Sequence, residues 1–307
     1  MLRRLLMAAL MVASATIAPV ANAQDRVTLG WGRSFSNDQI GDGNDRWRSG
    51  SYTVSRVRGP SWNGYQSAAF GDVLELRGMA SVIAPMNLTT PALTDRRYAG
   101  VLSLGLATHF GWQGSEVALG SELAMTGPRT GIGSFQKWFH NLAGITPPSA
   151  GVLGAQIGTR LYPGLNGEMG RTFTYGTFVQ ARPFVEARAG IETLVRIGGD
   201  ITIGHLGRDD LMLRDTTTGQ RFRAVEGGRD EGFSLTLGGD MARVFDSALL
   251  PSGGAAIASD DSYRLRAGLH WQGKRASTFY GVTYLSPEFE QQPEGQVVGA
   301  LSLHLRF

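Results

Sequence analysis

Apolar and polar side chains alternate along most of this chain, and that alternation constrains its fold more than any other feature. Leu102, Leu104 and Leu106 share one face of a segment in which Ser103 and Gly105 share the other. A period of two is typical of β-strands with one apolar and one polar face. Residues 1–23 aside, no apolar run reaches the roughly 18 residues that a membrane-spanning helix needs, so helical spans are excluded.

Two architectures produce this alternation, and they differ in what covers the apolar face. A soluble sandwich buries that face in a core, whereas an outer-membrane barrel turns it to lipid. Many segments run for about 10 to 14 residues, longer than the roughly 5 to 6 typical of soluble strands. The chain also ends on an alternating segment whose last residue is Phe307, which resembles the assembly signal of bacterial outer-membrane proteins. We therefore predict an all-β fold, an antiparallel transmembrane β-barrel.

The alternating segments number twelve, an even number as single-chain bacterial barrels need. Pro183 interrupts the seventh, which could be split into two strands. Residues 207–229 are polar and rich in Arg, Asp and Thr, and we predict a long extracellular excursion there. The predicted strands are residues 25–37, 49–58, 71–85, 98–111, 114–126, 151–163, 172–189, 191–205, 231–246, 262–273, 276–286 and 296–307.

The N-terminus predicts export. Arg3 and Arg4 precede an apolar stretch over residues 5–20, and residues 21–23 read Ala-Asn-Ala, a small-x-small cleavage site. This is the pattern of a secretory signal peptide, and a membrane anchor is the less favoured alternative because the apolar run is short. We predict a signal peptide over 1–23 and one barrel domain over 24–307, located in the bacterial outer membrane.

Composition narrows the classes of partner and cross-link. The chain has no cysteine, which excludes disulfides and thiolate ligands. Its formal net charge of +3 is too small to argue for nucleic acid and is compatible with an anionic lipid surface. We expect a membrane-embedded protein, a monomer, with no nucleic-acid partner.

One segment departs from the strand rhythm and predicts a short helix in an extracellular loop. Ser134 is a candidate N-cap and Gly144 a candidate C-cap. Gln136 and His140 are four residues apart, so they share a face of the helix. If the helix docks on the barrel, this pair lies near the barrel wall. An apolar stripe runs beside them at helical spacing, made of Phe135, Trp138, Phe139 and Leu142.

A loop dense in oxygen ligands follows the first predicted strand. Asn37 and Asp38 end that strand, and Asp42, Asn44 and Asp45 follow within seven residues. Carboxylate and amide oxygens are the ligands of hard cations such as Ca²⁺. Asn, Asp and Gly are also the residues of ordinary turns, so composition alone leaves both interpretations open.

Four blocks in this region resemble the outer-membrane lipid A 3′-O-deacylase family, the LpxR-like proteins. Asn37-Asp38 resembles its N-terminal Asn-Asp, and residues 45–50 resemble its Asp-x-x-Tyr-Thr-x-Gly block. Residues 94–100 resemble its Asp-Arg-x-Tyr-Ala-Gly block, and residues 127–140 its Gly-Pro…Gln-x-x-x-His block. The resemblance covers most of residues 25–160 and, more loosely, the rest of the barrel.

The resemblance implies an esterase that removes the 3′-linked acyloxyacyl group of lipid A in the outer leaflet. His140 would activate water, and Gln136 would position water or substrate. Asn37 and Asp38 would hold Ca²⁺, which polarises the ester carbonyl, with Asp45 as a further candidate ligand.

This chain departs from the family pattern at two positions. The family's Thr in the second block falls on Arg48, with Ser49 and Ser51 nearby as stand-ins. The acidic residue that some members carry six positions after the histidine is Thr146 here. Activity therefore depends on another carboxylate, Asp42, Asp45 or Asp95, taking the missing one's place.

Two alternatives to the deacylase remain at this point: another outer-membrane lipid esterase, or a structural or pore-forming barrel whose catalysis has lapsed. In a pore, arginines on the polar faces would line the lumen and could favour anions. Ordinary internal ion pairing with Glu186, Glu192 and the aspartates is the preferred interpretation of the same arginines. They are Arg182, Arg188, Arg196, Arg243, Arg264 and Arg266.

Overall fold

The computed structural model describes residues 26–228 and 230–305, so the predicted signal peptide and Phe307 lie outside the described part of the chain. Within it the chain forms strands and a few short helices. The strands are β1 (Val27–Asn37), β2 (Trp47–Gly59), β3 (Val73–Ala84), β4 (Ala99–Trp112), β5 (Ser115–Thr126), β6 (Arg160–Gly170), β7 (Phe173–Tyr175), β8 (Val179–Ala189), β9 (Glu192–Ile203), β10 (Leu211–Arg214), β11 (Arg221–Val225), β12 (Gly232–Ser247), β13 (Asp261–Gln272), β14 (Ala276–Leu285) and β15 (Gln296–Leu305). The helices are a 3-10 turn (Pro128–Thr130), α1 (Ile132–Ala143) and α2 (Ala150–Gly154).

Twelve of these strands close into one antiparallel barrel, in agreement with the predicted fold and strand number. Each pairs with its neighbour in the order β1-β2-β3-β4-β5-β6-β8-β9-β12-β13-β14-β15, and β15 returns to β1. The closing seam is short. β1 and β15 share three residue pairs, from Phe35–Leu301 to Asn37–Gly299, whereas β1 and β2 share ten. Beyond those pairs the N–H of Asp42 donates to the Val297 carbonyl, and its Oδ2 accepts from the Val297 N–H, both at 3.1 Å.

The exterior of the barrel is apolar. Leu104 and Leu106 on β4, Leu119 and Leu123 on β5, and Leu265 on β13 are 45–60% exposed. Among the described residues, no helix is long and apolar enough to cross a membrane. Each strand therefore exposes its apolar face outside the barrel and turns its polar face inward.

Charged side chains fill the interior as ion pairs, so the ion-pairing interpretation of the arginines is confirmed for five of the six. Arg266 lies 2.6 Å from Asp200, and Arg264 lies 2.9 Å from Asp240. Arg182, Arg188 and Arg196 are likewise within ion-pair distance of lumen carboxylates. The expectation that Arg243 faces the lumen is wrong. It shares the exterior register of Met241 on β12 and pairs with Asp260 and Asp261 in an exposed position.

The prediction of an extracellular excursion over residues 207–229 is wrong. β9 ends and β12 begins at the barrel end that carries the first and last described residues, opposite to α1. From that end the segment folds back into the lumen as the hairpin β10–β11, which we call the plug hairpin. Its apolar side chains, among them Leu213 and Phe222, pack on Val57 and Val73 of the barrel wall. The polar residues that suggested a surface loop instead contact the polar side chains of the lumen.

Polar contacts hold the plug hairpin deep in the barrel. Arg214 lies 2.7 Å from Glu168 and 2.9 Å from Asp200. At the tip, the Thr216 carbonyl accepts a hydrogen bond of 3.0 Å from Arg264. These partners lie on three barrel strands, so the hairpin crosses the lumen, and a cavity remains between it and the wall beside Glu75 and His109.

Two predicted strands have different bounds in the structure. Residues 151–163 are not one strand, because Ser149 caps α2 by accepting from the Val152 N–H, and β6 begins only at Arg160. Residues 172–189 divide at Gly176, whose φ of 59° favours glycine in the turn between β7 and β8. Pro183 lies within β8 just beyond its pairing with β6, so its missing N–H leaves that ladder intact.

Candidate active site

Helix α1 docks its polar face, and not its apolar stripe, on the barrel. It contacts β3 and β4, and it buries only Gly133, Gln136 and His140. The N-cap is Gly131 and not the expected Ser134, so the helix begins three residues early, and Gly144 is the C-cap as expected. Gly133 has no side chain at its closest approach to α2, where an added Cβ would lie 2.9 Å from Leu153. The helix is thus oriented with its chemistry-bearing residues against the barrel.

His140 is held through both of its ring nitrogens. Nδ1 lies 2.8 Å from the carbonyl oxygen of Thr146, and Nε2 lies 3.1 Å from Oδ2 of Asp45. A carbonyl oxygen can only accept, so Nδ1 carries a hydrogen. Nε2 is therefore the atom through which this imidazole takes up or releases a proton.

Asp45 joins the other predicted site residues to the histidine. Its Oδ1 accepts a short hydrogen bond from Ser49 Oγ and a longer one, 3.4 Å, from Gln136 Nε2. Four of the predicted residues, Asp45, Ser49, Gln136 and His140, thus form one cluster between the β1–β2 loop and α1. Asp45 also lies beside the imidazole, although the family's acidic residue is replaced by Thr146.

Asp38 is fully buried next to this cluster. Its Oδ2 accepts hydrogen bonds from the Arg46 N–H, at 2.6 Å, and from Gln296 Nε2, at 3.1 Å, whereas its Oδ1 has no hydrogen-bond partner. Burial, together with the charges of Asp45 and Asp42, raises the pKa of Asp38 to about 8. One oxygen of this carboxyl is fixed and the other is available.

Asn37 lies next to Asp38 in the chain, but its side chain serves the loop. Its Oδ1 accepts from the Gln39 N–H at 2.8 Å, a local turn contact. Within the described residues no hydrogen bond joins the Asn37 side chain to His140, Gln136 or Asp45. The structure therefore places Asn37 at the edge of the cluster.

The chemistry of the donor set fits a hard cation only in part. Within residues 26–228 and 230–305, no three His, Asp or Glu side chains form a metal-binding group. Asp42 is already paired with Arg46 at 3.2 Å. Two buried oxygens lack partners, however: Asp38 Oδ1 and Gln136 Oε1. A cation here would meet one carboxylate with a free oxygen and complete its shell with neutral oxygens, as Ca²⁺ accepts.

The structure adds residues that sequence reasoning missed. Gln296, at the start of β15, donates to Asp38 and to the Arg46 carbonyl and accepts from the Arg48 N–H. No local signal marks it, because its partners lie about 250 positions away. Tyr98 lies in the third block that resembles the family, residues 94–100, but no role could be assigned to this residue from the sequence. Its hydroxyl is buried and has no partner, and burial and then the charge of Asp45 raise its pKa.

Arg48, which replaces the family's Thr, turns away from the cluster. Its guanidinium lies 2.7 Å from Glu192 and 2.6 Å from Glu288, and Glu288 also pairs with the buried Arg96. Burial disfavours the charge on Glu288, but the two arginines outweigh it and lower the pKa of Glu288. This network ties β2 to the β14–β15 loop below the site.

Comparison with known proteins decides the family. The family described as "Outer membrane protein LpxR" matches residues 5–307. The chain belongs to this family. A solved structure, LpxR from Salmonella typhimurium, shares the fold with a TM-score of 0.75 at 16% identity, covering 91% of this chain and 100% of that one. Family and fold together identify an outer-membrane barrel.

Other solved barrels are much less similar. The β domain of the Bordetella autotransporter BrkA has a TM-score of 0.41 at 12% identity, covering 91% of this chain and 99% of that one. The KdgM porin has a TM-score of 0.40 at 6% identity, with coverage of 91% and 98%. No curated protein matches the chain.

Proposed function

We propose that this LpxR-family barrel hydrolyses the 3′-linked acyloxyacyl ester of lipid A, with His140 as general base and Ca²⁺ as cofactor. The family supports a lipid A deacylase-type barrel in the outer membrane. The substrate is lipid A within the lipopolysaccharide of the outer leaflet. Its acyl chains would enter from the membrane side, between α1 and the barrel wall.

The observation that carries the proposal is the setting of His140. The carbonyl of Thr146 fixes the hydrogen on Nδ1, so Nε2 is left to act as the base. Asp45 Oδ2 faces that atom at 3.1 Å, and its other oxygen stays bonded to Ser49 and Gln136. A water reaches Nε2 only by displacing this direct contact, and Nε2 and Asp45 Oδ2 would then each accept one of its hydrogens. This arrangement orients a nucleophile and the base together.

The proton moves through Nε2 in both halves of the reaction. Water gives one proton to Nε2 as its oxygen attacks the ester carbonyl carbon. The carboxylate of Asp45 and the Thr146 carbonyl stabilise the imidazolium that forms. When the bond from the acyl carbon to the sugar 3′ oxygen breaks, Nε2 returns the proton to that oxygen. The products are the free acyloxyacyl acid and a 3′-hydroxyl group.

Asp38 would hold the cation through its unpartnered Oδ1, with Gln136 Oε1 and the second lone pair of the Asn37 amide oxygen as neutral donors. Asp45 would join them only by giving up one of its contacts with His140, Ser49 or Gln136. When bound, Ca²⁺ polarises the ester carbonyl and stabilises the developing oxyanion. Gln296 and the Arg46 N–H keep the Asp38 carboxyl in one orientation for this purpose.

The test is mass spectrometry of lipid A from outer membranes that contain the wild-type protein or the variant His140→Ala. We expect wild type alone to remove the acyloxyacyl mass. His205→Ala, a substitution at the opposite barrel end, is the control and should behave as wild type. Unchanged lipid A with a folded wild-type barrel would contradict the proposal and favour another lipid ester or a lapsed barrel. The plug hairpin argues against the pore alternative, because it lies across the lumen.

A further inference from the structure

The outward face of α1 is apolar and exposed. Because successive helix positions are about 100° apart, the aromatic stripe lies opposite the buried Gly133, Gln136 and His140. We use "aromatic stripe" for Phe135, Trp138, Phe139 and Leu142, which are 46–70% exposed. The Phe135 and Trp138 rings lie 5.8 Å apart and form one continuous surface. A helix that exposes this much apolar surface marks an interaction site.

The neighbouring surface indicates what covers the stripe. α1 follows β5 through the 3-10 turn and rests against β3 and β4, whose exteriors carry exposed leucines such as Leu76 and Leu104. Leu93, in the loop between β3 and β4, is 95% exposed. The stripe therefore continues the barrel's lipid-contacting exterior at the rim, and aromatic side chains are favoured at such membrane interfaces.

Three exposed arginines surround the base of α1 from three different segments. Arg97 precedes Tyr98, whose carbonyl accepts from the Ile157 N–H at 2.8 Å. Arg129 begins the approach to α1, and its N–H lies 3.4 Å from Thr159 Oγ1, next to Arg160. We call Arg97, Arg129 and Arg160 the rim arginines. Within the described residues, none of their guanidinium groups has an ion pair or hydrogen bond.

Four acidic residues of the same rim are engaged elsewhere. Asp42 pairs with Arg46, Asp45 with His140, and Glu288 with Arg48 and Arg96. Asp95 accepts from two backbone N–H groups. Within the described residues the rim arginines therefore have no ion-pair partner, and they lie beside an apolar surface and next to the site. An anionic group attached to acyl chains matches both features.

We infer that α1 and the rim arginines form a docking surface for a phosphorylated, acylated lipid of the outer leaflet. Phosphate lies on the arginines, and the aromatic stripe takes the acyl chains other than the one that enters between α1 and the barrel wall. The inference rests on the proposed function in one respect: it takes this lipid to be the substrate. Arginine suits the task because its planar guanidinium binds phosphate through two parallel hydrogen bonds.

The experiment uses two probes in mixed detergent micelles: lipid A with its phosphates and lipid A from which they have been removed. Equilibrium binding is measured on the full-length His140→Ala protein, which isolates docking from hydrolysis. Replacing the three rim arginines by Gln should weaken binding of the phosphorylated probe about 10- to 100-fold and leave the dephosphorylated probe unchanged. The control replaces Arg56, Arg58 and Arg171, at the opposite rim, by Gln. It should not change the binding of either probe.

The aromatic stripe is tested separately with Trp138→Gln and Leu142→Gln combined, added to the same His140→Ala protein. This variant should weaken the binding of both probes to the same extent. Equal weakening of both probes by the arginine variant, or no weakening, would overturn the phosphate assignment. If wild type binds with the expected phosphate preference but never hydrolyses the lipid, the docking surface stands and the proposed function fails.

Discussion

Asp38 is a buried carboxyl group whose charged form destabilises the folded protein. A carboxyl group without solvent needs full hydrogen bonding or a counter-charge, and this one has donors on Oδ2 only. Its nearest charged neighbours, Asp42 and Asp45, are acidic as well. The resulting rise of its pKa to about 8 means that the cation-free fold prefers Asp38 protonated.

The variant Asp38→Asn should therefore stabilise the cation-free protein at high pH. The folded pKa of about 8 exceeds the unfolded value of 3.8, so stability is full below the latter and falls as pH rises through 8. At pH 9 we expect a gain of roughly 2–5 kcal/mol, since each pKa unit is worth about 1.4 kcal/mol. Urea unfolding in detergent with a chelator measures it. A gain that persists unchanged at pH 4 would contradict burial of the charged carboxylate as its cause.

Gln296 should act on turnover through Asp38. Gln296→Leu removes the hydrogen bonds to Asp38 and Arg46, and we expect a loss of about 10- to 100-fold, as for other residues that orient metal ligands. Gln292→Leu, in the same loop but without contact to Asp38, is the control and should lose less than about threefold. Adding Gln296→Leu to Asp38→Asn should cost nothing more. Independent losses from the two substitutions would argue for a purely structural role.

At the level of elements, strand periodicity is the part of this fold that the sequence predicts best. Leu104 and Arg266 each lie on the face that alternation assigns to them. The strand prediction fails where the alternation is weak and a helix-capping residue is present. Residues 151–163 alternate weakly, and a capped helical turn at Ser149 takes their first part. The plug hairpin could not be placed, because polarity does not distinguish water outside a barrel from a polar lumen.

The plug hairpin should determine whether the barrel conducts ions. Replacing residues 207–229 with a short glycine linker removes Arg214 and the Thr216 contact from the lumen. We expect single-channel currents in planar bilayers from this variant and none from wild type. Arg243→Gln, which alters an exposed ion pair, is the control and should stay closed. Equal conductance of wild type and the deletion variant would show that other side chains close the lumen.

For the whole molecule, the blocks that resemble the family predicted a site that the fold brings together from distant positions. Gln136 and His140 could be paired from helical spacing, and Asp45 and Ser49 from the second block. What sequence could not supply was the contact of Asp38 with Gln296, because only barrel closure makes the first and last strands neighbours.

Removal of calcium should separate activity from folding. The barrel is closed by backbone hydrogen bonds between twelve strands, and none of them passes through the proposed cation site. We expect a chelator to abolish lipid A hydrolysis and to leave the heat-resistant migration of the folded barrel in detergent gels unchanged. Activity should return when Ca²⁺ is added back. Full turnover in the chelator would exclude the proposed cofactor.

The short seam between β1 and β15 makes the order of biogenesis matter. Asp38 sits at the end of the first strand, and the amide that orients it belongs to the last strand, the part of the chain synthesised at the end. Until those strands meet, Asp38 and Gln296 remain apart, and the loop that carries Asp42 has no Val297 to hold it. A chain still in transit through the cell envelope thus carries every site residue but has no assembled site. Assembly of the proposed site and closure of the barrel are one event.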